Sequence, residues 1–90
     1  MTYFVYILFS LKDKKLYTGF SMNLQQRIIY HNKGLNPSTA KRRPLKIIFY
    51  EAYLNKLDAL RREQYLKTTD GKRGLKIILK ETLKKLTNNA

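Results

Sequence analysis

From Tyr3 to Phe9 every position is apolar or aromatic. In an extended chain Phe4, Tyr6 and Leu8 fall on one face, and Tyr3, Val5, Ile7 and Phe9 on the other. A strand apolar on both faces is covered on both, which predicts a central strand over residues 2 to 9. Ser10 to Lys15 contains Lys12-Asp13-Lys14-Lys15 and reads as a polar turn. Leu16 to Phe20 is the returning strand. The connection is too short for a parallel crossover, so the two strands form an antiparallel hairpin.

The period then changes. Asn23 is a good helix N-cap with Gln26 at N3, a variant of the capping box. The helix should run to about Asn32 with Leu24 and Ile28 inward, and Gly34 suits the left-handed position just past its end. Lys33 to Pro44 is a loop holding Asn36-Pro37-Ser38-Thr39 and the basic run Lys41-Arg42-Arg43. Leu45 to Tyr53 reads as a third strand, with Ile47 and Phe49 alternating against Ile48 and Tyr50. A second helix starts near Asn55, with Asp58 as a further capping partner, and continues to about Lys67. Thr68-Thr69-Asp70-Gly71 breaks it and caps the next helix, which carries Leu75, Ile78, Leu79, Thr82, Leu83 and Leu86 at helical spacing. Asn88-Asn89-Ala90 should fray. The expected fold class is α+β, a small three-stranded antiparallel sheet flanked by three helices in the order β-β-α-β-α-α.

Ninety residues make one small domain, residues 1–90, with one core. The chain has no cysteine, which excludes a disulfide framework and a thiolate metal site, and its single histidine excludes a His-rich zinc site. No apolar run reaches the roughly 20 residues of a membrane helix. The N-terminus has no basic flank before its apolar run and no cleavage-site pattern after it, so the expected location is the cytoplasm, including the nucleoid. Charge alters the picture most. Nineteen Lys and Arg against six Asp and Glu leave a formal net charge of +13, which points to a polyanion partner, nucleic acid first. A merely solvated lysine-rich surface is the duller explanation, and the aromatics and arginines that accompany the lysines weigh against it.

Several residues form a more specific constellation. Phe4-Val5-Tyr6 on the first strand and Tyr17-Thr18-Gly19 on the second leave ten residues between Tyr6 and Tyr17. Arg27 follows ten residues after Tyr17, and His31 stands one helical turn later, on the same face. By 100° per residue Arg27 lies only about 60° from Leu24, at the margin of the inward face. Glu63 stands within Leu60-Arg61-Arg62-Glu63-Gln64-Tyr65-Leu66-Lys67, at about 40° in an apolar arc bounded by Ala59, Leu66 and Leu60. A carboxylate in such an arc needs a partner, either an ion pair, a tyrosine hydroxyl or a metal ion. Each of the others has a plain structural reading as well. Tyrosine is a favoured strand residue, Arg27 could be one more surface cation, and His31 could be a packing or capping residue. Gly19 marks either a strand-end bulge or a close backbone approach, and both agree with a substrate groove.

Taken together, these residues resemble the GIY-YIG nuclease family, whose two motif triplets lie on paired strands, with an arginine on the next helix and a glutamate on the helix after the third strand. The resemblance covers nearly the whole chain and looks closest to the short, stand-alone bacterial members; it is more distantly similar to the nuclease domain of the excinuclease and to phage homing endonucleases. It implies a metal-dependent endonuclease that hydrolyses phosphodiester bonds in DNA, selective for structure more than sequence, with RNA as the other candidate partner and no membrane. Tyr6 would act as, or assist, the general base. Glu63 would hold a divalent ion, Mg2+ or Mn2+, Arg27 would clamp the phosphate, and Tyr17 and His31 would position the attacking water. Three departures stand out. Phe4 replaces the first glycine, Phe20 stands where some members have lysine, and no late asparagine follows Glu63; the matching region reads Gly71-Lys72-Arg73-Gly74-Leu75-Lys76, where Lys72 or Lys76 would substitute electrostatically.

Lys41, Arg42, Arg43, Arg61, Arg62, Lys72 and Arg73 are expected to contact the nucleic-acid backbone, adding affinity without sequence choice. Two alternatives remain. One is a nucleic-acid-binding module that keeps the fold and has lost most catalysis, favoured by the charge and the missing asparagine. The other is an interaction domain for an acidic protein, favoured by charge alone.

Overall fold

The computed structural model describes residues 1–88; Asn89 and Ala90 of the expected frayed tail lie outside the described residues. Three strands, β1 (Tyr3–Ser10), β2 (Leu16–Ser21) and β3 (Leu45–Tyr53), form one antiparallel sheet in the order β2-β1-β3. The doubly apolar strand is therefore central. Its two faces support two cores. Val5 and Ile7, with Tyr3, Leu16 and Phe20, pack against Ala59 and Leu66 of α2 (Lys56–Leu66), Leu75 of α3 (Thr69–Ile78), Leu79, and Leu83 of α4 (Lys80–Asn88). Tyr6 and Leu8, with Tyr17, Leu45 and Ile47, pack against Leu24 and Ile28 of α1 (Leu24–Asn32).

The helix ends follow local chemistry. Asn23 caps α1 by accepting the Gln26 N–H on its side chain. Past the other end, Gly34 takes φ 76°, and the N–H groups of Gly34 and Leu35 donate to the carbonyls of His31 and Tyr30. That is the paired closure of a Schellman end, and it frees Asn32 for another task. Its amide donates to the Leu45 carbonyl at 2.9 Å and accepts the Leu45 N–H at 2.8 Å, clamping α1 to the start of β3. Asn55 caps α2 through the Leu57 N–H, and Thr68 caps α3 through the Gly71 N–H. Asp58, expected to assist the α2 cap, instead bonds Arg61 at 3.3 Å.

Three features differ from the sequence pattern. First, strict alternation on β3 is broken by a bulge: Ile7 pairs with Phe49 but Leu8 pairs with Ile47, so Ile48 is the extra residue. Ile48 and Phe49 consequently pack in the same core, while Ile47 joins the α1 side. Secondly, the last helix is two. Leu79 leaves helical geometry (φ −101°, ψ 20°), although the Leu79 and Leu83 N–H groups still donate four residues back at 2.8 Å. Leu75, Leu79 and Leu83, spaced four apart, pack in one core across the break. Thirdly, Ile78 of the expected apolar stripe is 57% exposed: as the last residue of α3 it lies about 100° around from Leu79, outside the buried face. No described helix is long and apolar enough to cross a membrane.

Candidate active site

The pairing of β1 with β2 sets Tyr6 opposite Gly19 and Leu8 opposite Tyr17. On the face covered by α1, the Tyr6 ring therefore runs across β2 at Gly19. A Cβ on Gly19 would overlap Cζ and Oη of Tyr6, so only glycine leaves room for the phenol there. The close neighbour is a side chain, neither a second backbone nor a bulge. Gly19 is buried and makes space for the site; it does not form a contact surface.

The space is used for a buried polar column. Tyr6 Oη lies 2.7 Å from Nε2 of His31, and His31 Nδ1 lies 2.7 Å from Oγ1 of Thr39. Tyr6 is 2% exposed, and His31 and Thr39 are fully buried. Both ring nitrogens of His31 are thus occupied, so the imidazole stands behind Tyr6 and does not meet solvent. The expectation that His31 would position the attacking water does not fit this placement. Burial, and secondarily the charge of Arg27, hold His31 below its ordinary value, so the ring is neutral at neutral pH. Burial also pushes the Tyr6 phenol well above its ordinary value, helped by Tyr17 and Glu63 and opposed by Arg27. An activated phenolate needs the opposite shift, because cations would have to outweigh desolvation. Here desolvation wins.

Arg27 stands on α1 and Glu63 on α2, elements on opposite faces of the sheet, and their charges bear on the Tyr6 phenol less than burial does. Arg27 is half-buried, rests over the Tyr30 ring at 5.2 Å, and has no carboxylate partner among the described residues. Tyr17 packs its ring 5.2 Å from His31 and 6.5 Å from Tyr6, and is less buried than either. The Glu63 side chain is only 13% exposed, within the apolar arc that its helical angle predicts, and meets Lys67 Nζ at 3.3 Å. Tyr6, Tyr17 and His31 thus pack on one another, with Arg27 on the same helix as His31 and Glu63 on α2, the helix that covers the other face of the sheet.

A profile of the GIY-YIG catalytic domain matches residues 2–76. The chain belongs to the GIY-YIG family. That places it among nucleases, with nucleic acid as the substrate class. Among its relatives, a UPF0213 protein of Clostridium perfringens is 39% identical over 82 residues, covering 90% of this chain and 87% of that protein. A UPF0213 protein of Staphylococcus saprophyticus is 38% identical over 77 residues, covering 84% and 93% respectively. The solution NMR structure of a UPF0213 protein from Bacillus halodurans is similar over 87% of this chain and 85% of its own, with 31% identity and a TM-score of 0.55.

The expected backbone-contacting cations of this GIY-YIG domain divide into two groups. Arg42 is bound to Asp13 at 2.6 Å and holds that carboxyl down to about 2, and Arg62 is forked onto Glu51 at 2.9 and 3.2 Å. Both are partly buried and hold the fold together. Arg43 donates to the Ala40 carbonyl. Lys41 and Lys72 are exposed, while Arg61 and Arg73 carry only exposed i,i+3 pairs of little energetic weight. Sequence reasoning missed Thr39. It reaches His31 because Asn36 closes a turn on Ser38 and Thr39, and no helical or strand period links positions 31 and 39.

Gly19→Ala should be severe for so small a change. The new methyl overlaps Tyr6 where the phenol is fully packed, which costs about 1–3 kcal/mol and displaces Oη from His31. Thermal melting and nuclease rate should both fall. A variant that melts and cuts like the parent would show that the Tyr6 ring can turn aside freely.

Proposed function

We propose that this domain is a metal-dependent endonuclease that hydrolyses phosphodiester bonds in DNA, choosing sites by nucleic-acid structure. The observation that carries the reading is the buried Tyr6–His31–Thr39 column with Tyr17 packed on it, in a chain whose Arg27 has no carboxylate partner among the described residues and whose Glu63 carboxylate is nearly buried. A proton-transfer group, a phosphate clamp and a hard-cation ligand are the needs of phosphodiester hydrolysis.

No group of three His, Cys, Asp or Glu side chains converges among the described residues. Glu63 would therefore be the protein's ligand to a divalent ion, which suits Mg2+, an ion held through one or two carboxylates together with water and substrate phosphate. When bound, such an ion stabilises charge on the phosphate and the leaving oxygen. Arg27 fixes the phosphate with its planar fork. Tyr17, the more exposed tyrosine, orients the water. Tyr6 passes a proton inward: it accepts one from water as its own moves to Nε2 of neutral His31, whose Nδ1–H donates to Thr39. Burial is the main reason imidazolium is disfavoured, and a phosphate on Arg27 offsets the lesser part that the Arg27 charge adds.

Cleavage of duplex, flap, branched and single-stranded substrates with Mg2+ or Mn2+ tests the reading. Arg27→Lys is the sharpest variant. It keeps the charge and loses the fork, so cleavage should fall about a hundredfold while binding falls less than about threefold. Equal losses would place Arg27 on the general electrostatic surface. A second reading, a binding module without cleavage, is favoured by the Lys67 ammonium already seated on Glu63 and by the net charge of +13. Salt-dependent binding without cleavage on any substrate would select it.

A further inference from the structure

Between the β1–β2 turn and the α3–α4 pair lies a cleft of about 800 Å³ that the constellation around Tyr6 does not account for. Its wall carries five lysines from three separate parts of the chain: Lys14 and Lys15 in the turn, Lys67 after α2, and Lys72 and Lys76 on α3. No carboxylate lines it, and among the described residues the one ion pair that reaches these lysines is Lys67 with Glu63. Lys14 sits at φ 61°, a left-handed conformation that lysine rarely adopts. The turn holds it there: the Lys14 N–H donates to the Ser10 carbonyl, and Ser10 Oγ accepts the Lys12 and Asp13 N–H groups. Five cations around one hollow repel each other, and a strained backbone adds to that cost. Such expense is characteristic of binding sites.

The floor of the cleft is of a different kind. The half-buried Leu16 and Leu83 form it above the buried Phe9 and Leu75, and the half-buried Tyr17 borders it. A ligand that fits must be anionic along its length and also carry flat apolar faces. We propose that this cleft binds an unpaired nucleic-acid strand, phosphates on the lysine rim and bases on the apolar floor, and delivers it to the Tyr6 centre. The inference rests on the nuclease reading and adds the form of the substrate. A duplex stacks its bases inside and offers only phosphates to such a cleft, whereas an unpaired strand offers both. The regions lie on opposite faces of the sheet and share two residues: Tyr17, on the edge strand β2, lines the cleft and packs on His31, and Lys67 lines it and pairs with Glu63.

The test is fluorescence anisotropy without divalent ions, using a short labelled DNA strand, its duplex, and an abasic strand of the same length. The parent protein should bind the normal strand at least about tenfold tighter than the abasic one, since only the normal strand brings bases to Tyr17 and the apolar floor. Charge reversal of the exposed pair, Lys72→Glu with Lys76→Glu, should weaken strand binding about tenfold or more and duplex binding less than about threefold. The neutral pair Lys72→Gln with Lys76→Gln, which keeps a polar surface, should show the same order of loss at reduced size. Equal affinity for normal and abasic strands, equal losses for strand and duplex, or displacement of the strand by poly-glutamate at matched charge would each overturn the groove. Parallel cleavage assays separate the two claims. A protein that cuts DNA yet fails these binding comparisons keeps the nuclease reading and loses the groove, and one that passes them without cutting loses the nuclease reading alone.

Discussion

Tyr6→Phe is expected to reduce cleavage by about 10²–10⁴-fold, the usual share of a positioned proton-transfer group, while DNA affinity stays within about threefold. The ring fills the same space over Gly19, so packing is kept and only the hydroxyl is lost. What goes with it is the 2.7 Å bond to His31, leaving an imidazole nitrogen buried without a partner, at a cost of about 1–3 kcal/mol. The pH profile identifies the hydroxyl's role. If Tyr6 phenolate were the base, the rate would climb throughout the neutral and basic range, because burial holds its proton more tightly than in water. Transfer to neutral His31 predicts a plateau above the ordinary histidine value of about 6.5 and an acid limb below it. Stability follows the same sign. The folded state disfavours imidazolium, so this contribution is complete above about pH 6.5 and is lost as pH falls through the lowered His31 value. A rate that rises tenfold per pH unit from 7 to 9 and keeps its slope in Thr39→Val would exclude His31 as the acceptor.

Much of this site was legible in the sequence because it depends on local periods. The spacing of Tyr6 and Tyr17 becomes a cross-strand neighbourhood once the hairpin forms, and Arg27 and His31 follow from one turn of a capped helix. The angle of Glu63 on α2 agrees with its near burial. What the sequence concealed depends on distant partners. The bulge at Ile48 exists only in the register of β3 against β1, so strict alternation misassigned two residues. The exposure of Ile78 reflects how narrow the buried face of α3 is, a limit set by the packing of Leu75 and Leu79 against the sheet. Thr39 meets His31 through a loop, and Lys14, Lys67 and Lys76 share a cleft through tertiary packing, and neither has a periodic signal. The role of His31 shows how such contacts change chemistry. Its position on the helix marked it for the site, but only the bonds to Tyr6 and Thr39 place it behind the phenol.

Glu63→Gln should abolish metal-dependent cleavage and leave the fold nearly untouched. The substitution keeps the side-chain shape within the apolar arc and removes only its charge. The contact it breaks, with the half-exposed Lys67, is an i,i+4 pair of the kind that contributes about 0–1 kcal/mol. Melting should therefore move little. Removing one negative charge raises the net charge from +13 to +14, so DNA binding should hold or tighten slightly, with a salt slope at least as steep. Lys67 supplies the complementary test. Its ammonium occupies the carboxylate that a divalent ion would need, so Lys67→Gln should tighten Mn2+ binding severalfold in the absence of nucleic acid, and Glu63→Gln should remove that binding. This comparison also addresses the plainer explanation, in which the Glu63–Lys67 pair merely satisfies a carboxylate trapped among Ala59, Leu60 and Leu66. In that case Lys67→Gln would strand the carboxylate and lower the melting temperature without changing Mn2+ affinity. A Glu63→Gln protein that cuts DNA at the parent rate would leave packing as the sole function of this residue, and the charge on Tyr6 that Glu63 supplies would have no part in the reaction.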